Sequence, residues 1–239
     1  TLVQLSLMAY KPWVAKYQVQ MLAEGPLPDF FERKELLEVI HKKLKDGGYI
    51  RTGFECYSLP DSPMTKAFEE GNAHYGASGH QPGGRVNFIA VGSSSMSNLG
   101  NDYFVQNAYD IPSYKKILDQ NLLPSFRGMK LNEDDKIRQH ATQQIRSYFK
   151  IDYKNFKEQF GIDGKDYFKK EIEFMKDMHI DGLVEFSDEG IFLTEIGRDF
   201  TQNIMNVFDK YDPPTKSYKE RLDTVKKAKQ LQAQIQEKI

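Results

Sequence analysis

Residues 85–107, RVNFIAVGSSSMSNLGNDYFVQN, constrain the fold of this 239-residue chain more than any other stretch. Val86-Asn87-Phe88-Ile89-Ala90-Val91 is rich in β-branched and aromatic residues, with Pro82-Gly83-Gly84 before it and Gly92 after it. That pattern predicts a buried strand. A parallel strand covered on both faces need not alternate, so the run is expected to be parallel. Its carboxyl end, Gly92-Ser93-Ser94-Ser95-Met96-Ser97, then stands where α/β proteins bind ligands. Gly92 lets a ligand approach the backbone, the serines offer hydroxyls, and Met96 offers a soft apolar surface. An ordinary Ser-rich connection would use the same residues.

With 39% hydrophobic and 13% aromatic residues, the chain has enough apolar surface for one large domain or two small ones. Its 33 basic and 34 acidic residues give a formal charge of -1 and no global attraction to nucleic acid or to an anionic membrane. No apolar run reaches the ~20 residues of a membrane span, and no signal-peptide pattern opens the sequence. A cytoplasmic protein is expected. The single cysteine, Cys56, excludes an internal disulfide and any multi-cysteine metal or iron–sulfur site built by this chain alone. Thr1 leads straight into Leu2-Val3-Gln4-Leu5, which reads as a strand over 2–9, so a fold entered midway, and hence a fragment, is expected.

The 2–9 strand stops at Pro12. Asp29-Phe30-Phe31-Glu32 is a capping box, and the helix it opens carries Leu36, Leu37, Ile40 and Leu44 on one face before Gly47-Gly48. A strand over 49–57 and a short helix from Ser62-Pro63 through Phe68 follow, giving a strand–helix–strand order that suits a parallel sheet. Residues 71–84, with five glycines and two histidines, read as a mobile loop near the ligand end, facing one cleft with Ser95 and Met96. His74 and His80 have no carboxylate or cysteine at ligand spacing beside them. Residues 109–121 predict a helix with Tyr114, Ile117 and Leu118 inward, and 122–130 a connector between domains.

Beyond the connector the pattern changes. Asn132 caps a helix striped by Ile137, Ala141, Ile145, Tyr148 and Phe149, with Glu133-Asp134-Asp135 in its first turn. Helices over 153–160 and 165–179 follow, the latter with Phe168, Ile172 and Met175 inward. Residues 183–186 and 191–194 around Ser187-Asp188-Glu189-Gly190 signal a hairpin. Thr194 caps a last helix carrying Ile196, Phe200, Ile204 and Phe208. Phe168, Ile172, Phe192 and Phe200 are expected to share the core of this winged-helix-like domain. The lysine- and glutamine-rich residues 215–239 read as an exposed helical tail.

From Arg127 to Arg138, RGMKLNEDDKIR, the sequence resembles the C-terminal domain of oxygen-independent coproporphyrinogen III oxidase, a radical S-adenosylmethionine enzyme of haem biosynthesis. VGSSSMS with Tyr103, Gln106 and Asn107 is similar to that family's Gly-x-Ser-x-x-Ser loop and its Gln-Asn pair. Asp181-Gly182-Leu183-Val184, Gly190-Ile191, Thr194, Gly197-Arg198 and Asn203-Ile204-Met205-Asn206-Val207-Phe208-Asp209 resemble its closing wing and last helix. The resemblance covers about residues 2–212. It implies an α/β fold: the C-terminal part of a partial parallel α/β barrel over 1–125, then a mostly helical, winged-helix-like domain over 126–214.

The resemblance further implies oxidative decarboxylation of coproporphyrinogen III propionates, using S-adenosylmethionine and a 4Fe–4S cluster held by a Cys-x-x-x-Cys-x-x-Cys motif. That motif is absent from this sequence, so the chain alone is expected to be inactive and to need the upstream half of the enzyme. What carries over is the adenine edge at Met8, Tyr10 and Lys11 and the cofactor-contacting turn at Ser95 and Met96. For the tetrapyrrole substrate the candidate donors are Arg85, Arg127, Ser94 and Gln106. Where the family has an aromatic-Gln-Gly segment contacting a second cofactor molecule, this chain has Ala77-Ser78-Gly79. A haem chaperone or haem-modifying relative therefore stands as the alternative within the family, and a structural lid as one outside catalysis. A winged-helix nucleic-acid module is a third, weakened because Lys165, Lys169, Lys170 and Lys176 in the presumptive reading helix are offset by Asp166, Glu171, Glu173 and Asp177. No nucleic-acid or membrane partner is expected, and the protein is expected to be a monomer.

Overall fold

The computed structural model describes residues 2–4, 28–76, 79–83, 87–100 and 102–211. The chain divides into two compact units, 1–83 and 84–239. Both mix helix and sheet, in keeping with the α/β expectation, but every strand pairing among the described residues is antiparallel. Where parallel strands are expected over 2–9 and 86–91, Leu2–Gln4 pairs antiparallel and residues 87–91 form no strand; residues 5–9 and 86 lie outside the described residues.

In the first unit, strand β1 (Leu2–Gln4) pairs with β3 (Cys56–Ser58), which also pairs with β2 (Ile50–Arg51). The single strand expected over 49–57 is thus two strands around a turn, because Gly53 and Glu55 take positive φ there. Helix α1 (Phe30–Asp46) starts with the predicted capping box: the Asp29 carboxylate accepts from the Phe31 and Glu32 N–H groups, and Glu32 accepts from the Asp29 N–H at 2.7 Å. Its covered face runs through Leu37, Ile40, His41 and Leu44, while Leu36 is exposed. A buried hydroxyl chain, Thr52 to Ser58 at 3.0 Å and Ser58 to Thr65 at 2.7 Å, ties β3 to helix α2 (Pro63–Glu69), which Ser62 caps.

The loop expected over 71–84 contains a hairpin, β4 (Ala73–Gly76) and β5 (Gly79–Pro82). The buried His80 ring explains it. His80 Nε2 meets the Phe54 carbonyl at 2.9 Å, and the ring lies against Gly53, where a Cβ would stand 2.5 Å from Cε1. A segment that looks like a glycine-rich loop is held by one aromatic side chain that only glycine admits.

In the second unit, β6 (Met96–Leu99), β7 (Tyr103–Asn107) and β8 (Ser125–Lys130) form a sheet in that order. Residues 87–91 are not a buried strand. They make one bridge, Phe88 to Asn98, and Ile89 and Val91 are 76% and 84% exposed. Apolar β-branched composition reports that a segment can be covered, not where the cover comes from. The connector expected at 122–130 holds β8 instead, which its exposed polar sequence SFRGMK does not advertise. Helix α3 (Ile111–Leu118) follows β7 and is capped by Asp110.

The remainder is helical with a small sheet. Helix α4 (Glu133–Tyr148) is followed by β9 (Lys150–Asp152) and α5 (Tyr153–Phe160). The helix expected over 165–179 is three pieces, α6 (Gly164–Tyr167), α7 (Lys169–Phe174) and α8 (Lys176–Ile180), broken where buried Phe168 and Met175 leave helical geometry. The predicted hairpin is β10 (Val184–Phe186) with β11 (Gly190–Leu193), and β9 adds a third strand on β11. Gly190 is obligatory, since a Cβ there would collide with the Ile151 carbonyl of β9. Phe156, Phe168 and Phe208 form the aromatic core, with edge-to-face rings 5.4 Å and 5.1 Å apart. Of the four residues expected to share it, Phe168 is fully buried, while Ile172, Phe192 and Phe200 are half-buried. The expected tail at 215–239 lies outside the described residues.

An ion cluster closes this helical part. Asn132 and Asp135 make a reciprocal cap at 2.9 Å and 2.8 Å. Lys210 bridges Asp134 at 2.9 Å and Asp135 at 2.7 Å, and Arg138 joins Asp134 at 3.0 Å to Glu171 at 2.8 Å. The Tyr211 hydroxyl donates to Asp135 at 2.8 Å, and Tyr167 donates to Asp134. Burial pushes the Asp134 carboxyl up, but hydrogen bonds from Lys210 and Tyr167 and the Arg138 charge outweigh it and hold the group at about 2, against an ordinary 3.8.

The folded value lies below the unfolded one, so this stabilisation is full above about pH 4 and is lost as pH falls toward 2. Thermal melts of the wild type should hardly change from neutral pH down to about 5 and fall steeply below about 4, whereas Asp134→Asn should start lower and fall less. In the core, Phe168→Ala should cost about 3–5 kcal/mol and Phe200→Ala less than about half of that in urea denaturation.

Candidate functional site

Residues directly opposite on neighbouring strands share a face of the sheet. Met96 stands opposite Gln106 and Gln106 opposite Arg127, so these three form one row across β6, β7 and β8. Gln106 is buried at 7% exposure, and its amide joins the row to the serine turn: Nε2 donates to the Ser94 carbonyl at 2.9 Å, while Oε1 accepts from Arg127 Nε at 2.7 Å. The Arg127 Cζ lies 5.8 Å from the centroid of the Tyr109 ring. Arg127 is exposed and Met96 is 46% exposed, so the row opens to solvent on either side of its buried centre.

The serine turn is built with unusual backbone geometry. Gly92 takes φ 113° and Ser94 φ 58°, both left-handed. It is held from several sides. Asn107 Nδ2 donates to the carbonyls of Ala90 at 3.3 Å and Gly92 at 3.0 Å, and the Gly92 N–H donates to the Tyr114 hydroxyl at 3.1 Å. The Ser94 N–H reaches Ala108 O at 2.8 Å, and the Asn107 N–H reaches Ser95 O at 3.0 Å. Ser95 uses its own hydroxyl within the turn, donating to Val91 O at 2.9 Å.

Five of the residues expected at the site are therefore in one neighbourhood: Ser94, Ser95, Met96, Gln106 and Arg127. Met8, Tyr10, Lys11 and Arg85 lie outside the described residues. The hairpin over 73–82 belongs to the first compact unit and the serine turn to the second. The sequence reading did not assign roles to Asn107, Tyr109 and Tyr114. Asn107 was legible as half of the Gln-Asn pair, and Tyr114 as an inward residue of α3, but their partners across the turn were not. Among the described residues no group of three or more His, Cys, Asp or Glu side chains is gathered in metal-binding geometry. Cys56 does not suit a cluster: it is fully buried, burial pushes its thiol up, and it lies 3.5 Å from Thr52 Oγ1.

Among the described residues no helix is long and apolar enough to cross a membrane. If Asn107 holds the turn as described, Asn107→Ala should lower stability by about 1–3 kcal/mol in urea denaturation, leaving the Ala90 and Gly92 carbonyls without that donor. Tyr109→Ala, at an exposed position, should stay within about 0.5 kcal/mol of the wild type.

Residues 131–200 match the HemN C-terminal domain. The oxygen-independent coproporphyrinogen III oxidase of Helicobacter pylori is 30% identical over 203 residues, 85% of this chain and 44% of the relative. The enzyme of the same name from Pseudomonas aeruginosa is 30% identical over 78% of this chain and 40% of its own length. The solved structure of coproporphyrinogen III oxidase (HemN) from Escherichia coli, described as a radical SAM enzyme, matches with a TM-score of 0.72 and 28% identity, covering 77% of this chain and 42% of that one. The chain thus spans less than half the length of each of these relatives. It carries a HemN C-terminal domain over residues 131–200 and, across about 85% of its length, is a relative of the oxygen-independent coproporphyrinogen III oxidases.

Proposed function

We propose that this chain supplies the C-terminal part of an oxygen-independent coproporphyrinogen III oxidase, which converts coproporphyrinogen III propionates to the vinyls of protoporphyrinogen IX by oxidative decarboxylation. The observation that carries this reading is the similarity, over 85% of the chain, to proteins of that name. The chain's share of the work is to position and cover a tetrapyrrole, with residues 126–214 as a helical, winged closing domain. Ser95 and Met96 form the turn facing the cofactor, with Met8, Tyr10 and Lys11 assigned to the adenine edge. Arg85, Arg127, Ser94 and Gln106 are assigned to the substrate. The reading brings with it a cytoplasmic setting and a monomer once both parts are present.

The cluster has no place in this share. A 4Fe–4S cluster of this kind needs three thiolates, and the sequence has one cysteine. Anaerobic treatment of the chain with iron and sulfide should therefore give no cluster absorbance and no cleavage of S-adenosylmethionine. Joined to an upstream half bearing Cys-x-x-x-Cys-x-x-Cys, it should give both and consume coproporphyrinogen. Cofactor cleavage by this chain alone would overturn the reading. A joined protein that assembles the cluster but leaves coproporphyrinogen unchanged would favour the haem-handling relative.

A further inference from the structure

We propose that the outer edge of the Arg127 guanidinium is a carboxylate-binding site, oriented by Gln106 as a positioning residue, and that it holds one propionate of a tetrapyrrole. The carboxylate chemistry follows from the geometry. The identity of the molecule that carries it rests on the function proposed above.

A guanidinium has five N–H donors in a rigid fork. In Arg127 the Nε donor is taken by Gln106 Oε1 at 2.7 Å. The amide cannot turn to offer a different group, because its Nε2 is already fixed on the Ser94 carbonyl at 2.9 Å and Gln106 is buried. The Tyr109 ring flanks the cation at 5.8 Å. All of these partners are neutral. They fix the direction of the fork without cancelling its charge, and they leave the four donors on Nη1 and Nη2, which together match the two oxygens of a carboxylate.

Arg138 shows the contrast within the same unit. It ion-pairs with Asp134 at 3.0 Å and Glu171 at 2.8 Å and donates to the Phe208 carbonyl at 3.3 Å, as an arginine that serves stability does. No carboxylate among the described residues pairs with Arg127. Asp110, beside Tyr109 in sequence, uses its carboxylate to accept from the Ser113 N–H at 2.8 Å at the start of α3. Orienting a cation by a buried amide while leaving it unpaired is the arrangement expected of a group that awaits an anion.

The test is a fluorescence-quenching titration of the 239-residue chain with coproporphyrin III, which bears four propionate carboxylates, and with its tetramethyl ester, which bears no free carboxylate. The wild type should prefer the acid by about tenfold or more, the ratio expected for a charge-assisted hydrogen bond. Arg127→Ala should bind acid and ester alike, and Arg127→Lys should recover part of the preference, since it restores the charge without the fork. Circular dichroism checks folding, and Arg127→Gln, of similar reach but uncharged, is read instead if Arg127→Ala unfolds. Acid preference that survives in the uncharged variant overturns the inference and leaves the proposed function standing. Equal binding of acid and ester by the wild type also overturns it. Failure of the wild type to bind either porphyrin overturns this inference, while the proposed function is decided separately by the joined protein.

Discussion

Two adjacent amides, Gln106 and Asn107, hold the candidate site together. In a regular strand successive side chains point to opposite faces, so neighbours cannot normally serve the same turn. Here the register with β8 shifts between these two residues. With that bulge both side chains stay buried and both reach the serine turn, Gln106 through Ser94 O and Asn107 through the carbonyls of Ala90 and Gly92. The left-handed backbone at Gly92 and Ser94 is maintained by these bonds and by Tyr114, together with the turn's own glycine and the Ser95 hydroxyl. Positioning therefore runs from a bulge, through two amides, to a turn and an arginine.

The parts of the fold that the sequence made legible are those governed by short-range chemistry. The caps at Asp29, Ser62 and Asn132 each depend on one side chain and N–H groups two or three residues on, and all are present. The hairpin of β10 and β11 is of the same kind. What misled was composition read as topology. The run at 87–91 is as apolar as a core strand yet makes one bridge, whereas β8 is mostly exposed and yet pairs along β7 apart from the bulge. The glycines of 71–84 suggested freedom, but Gly53 and His80, far apart in sequence, interlock and order the hairpin. Pairings across long loops leave no periodicity to read.

The site was half legible for a similar reason. Ser94, Met96, Gln106 and Arg127 could each be named as a side chain able to meet a ligand, but nothing local says that three of them align across strands. That alignment depends on β8, which the sequence presented as a connector. Likewise Asn107 reads as a polar neighbour of Gln106 until the bulge turns it inward. Residue type was visible one position at a time, and the cross-strand register that turns types into a site was not.

The ion cluster at the start of α4 has a consequence for the order in which the chain can become native. Glu133, Asp134 and Asp135 crowd three carboxylates into one helical turn; Lys136 and Arg138 relieve Glu133 and Asp134 within the helix, whereas the Lys210 cation and the Tyr211 hydroxyl that meet Asp135 come from far along the chain, the latter across 76 residues. Arg138 pairs with Asp134 through its Nε within the helix, and its Nη1 is later held by Glu171 and the Phe208 carbonyl. On a ribosome, α4 would emerge with Glu133 and Asp134 paired within the helix but with Asp135 still without Lys210 and Tyr211. Such contacts of high sequence separation form late because the intervening loop must first be closed. This helical part is thus a unit whose first helix is completed by residues 210 and 211, so its folding should wait on their arrival as well as on the helix itself.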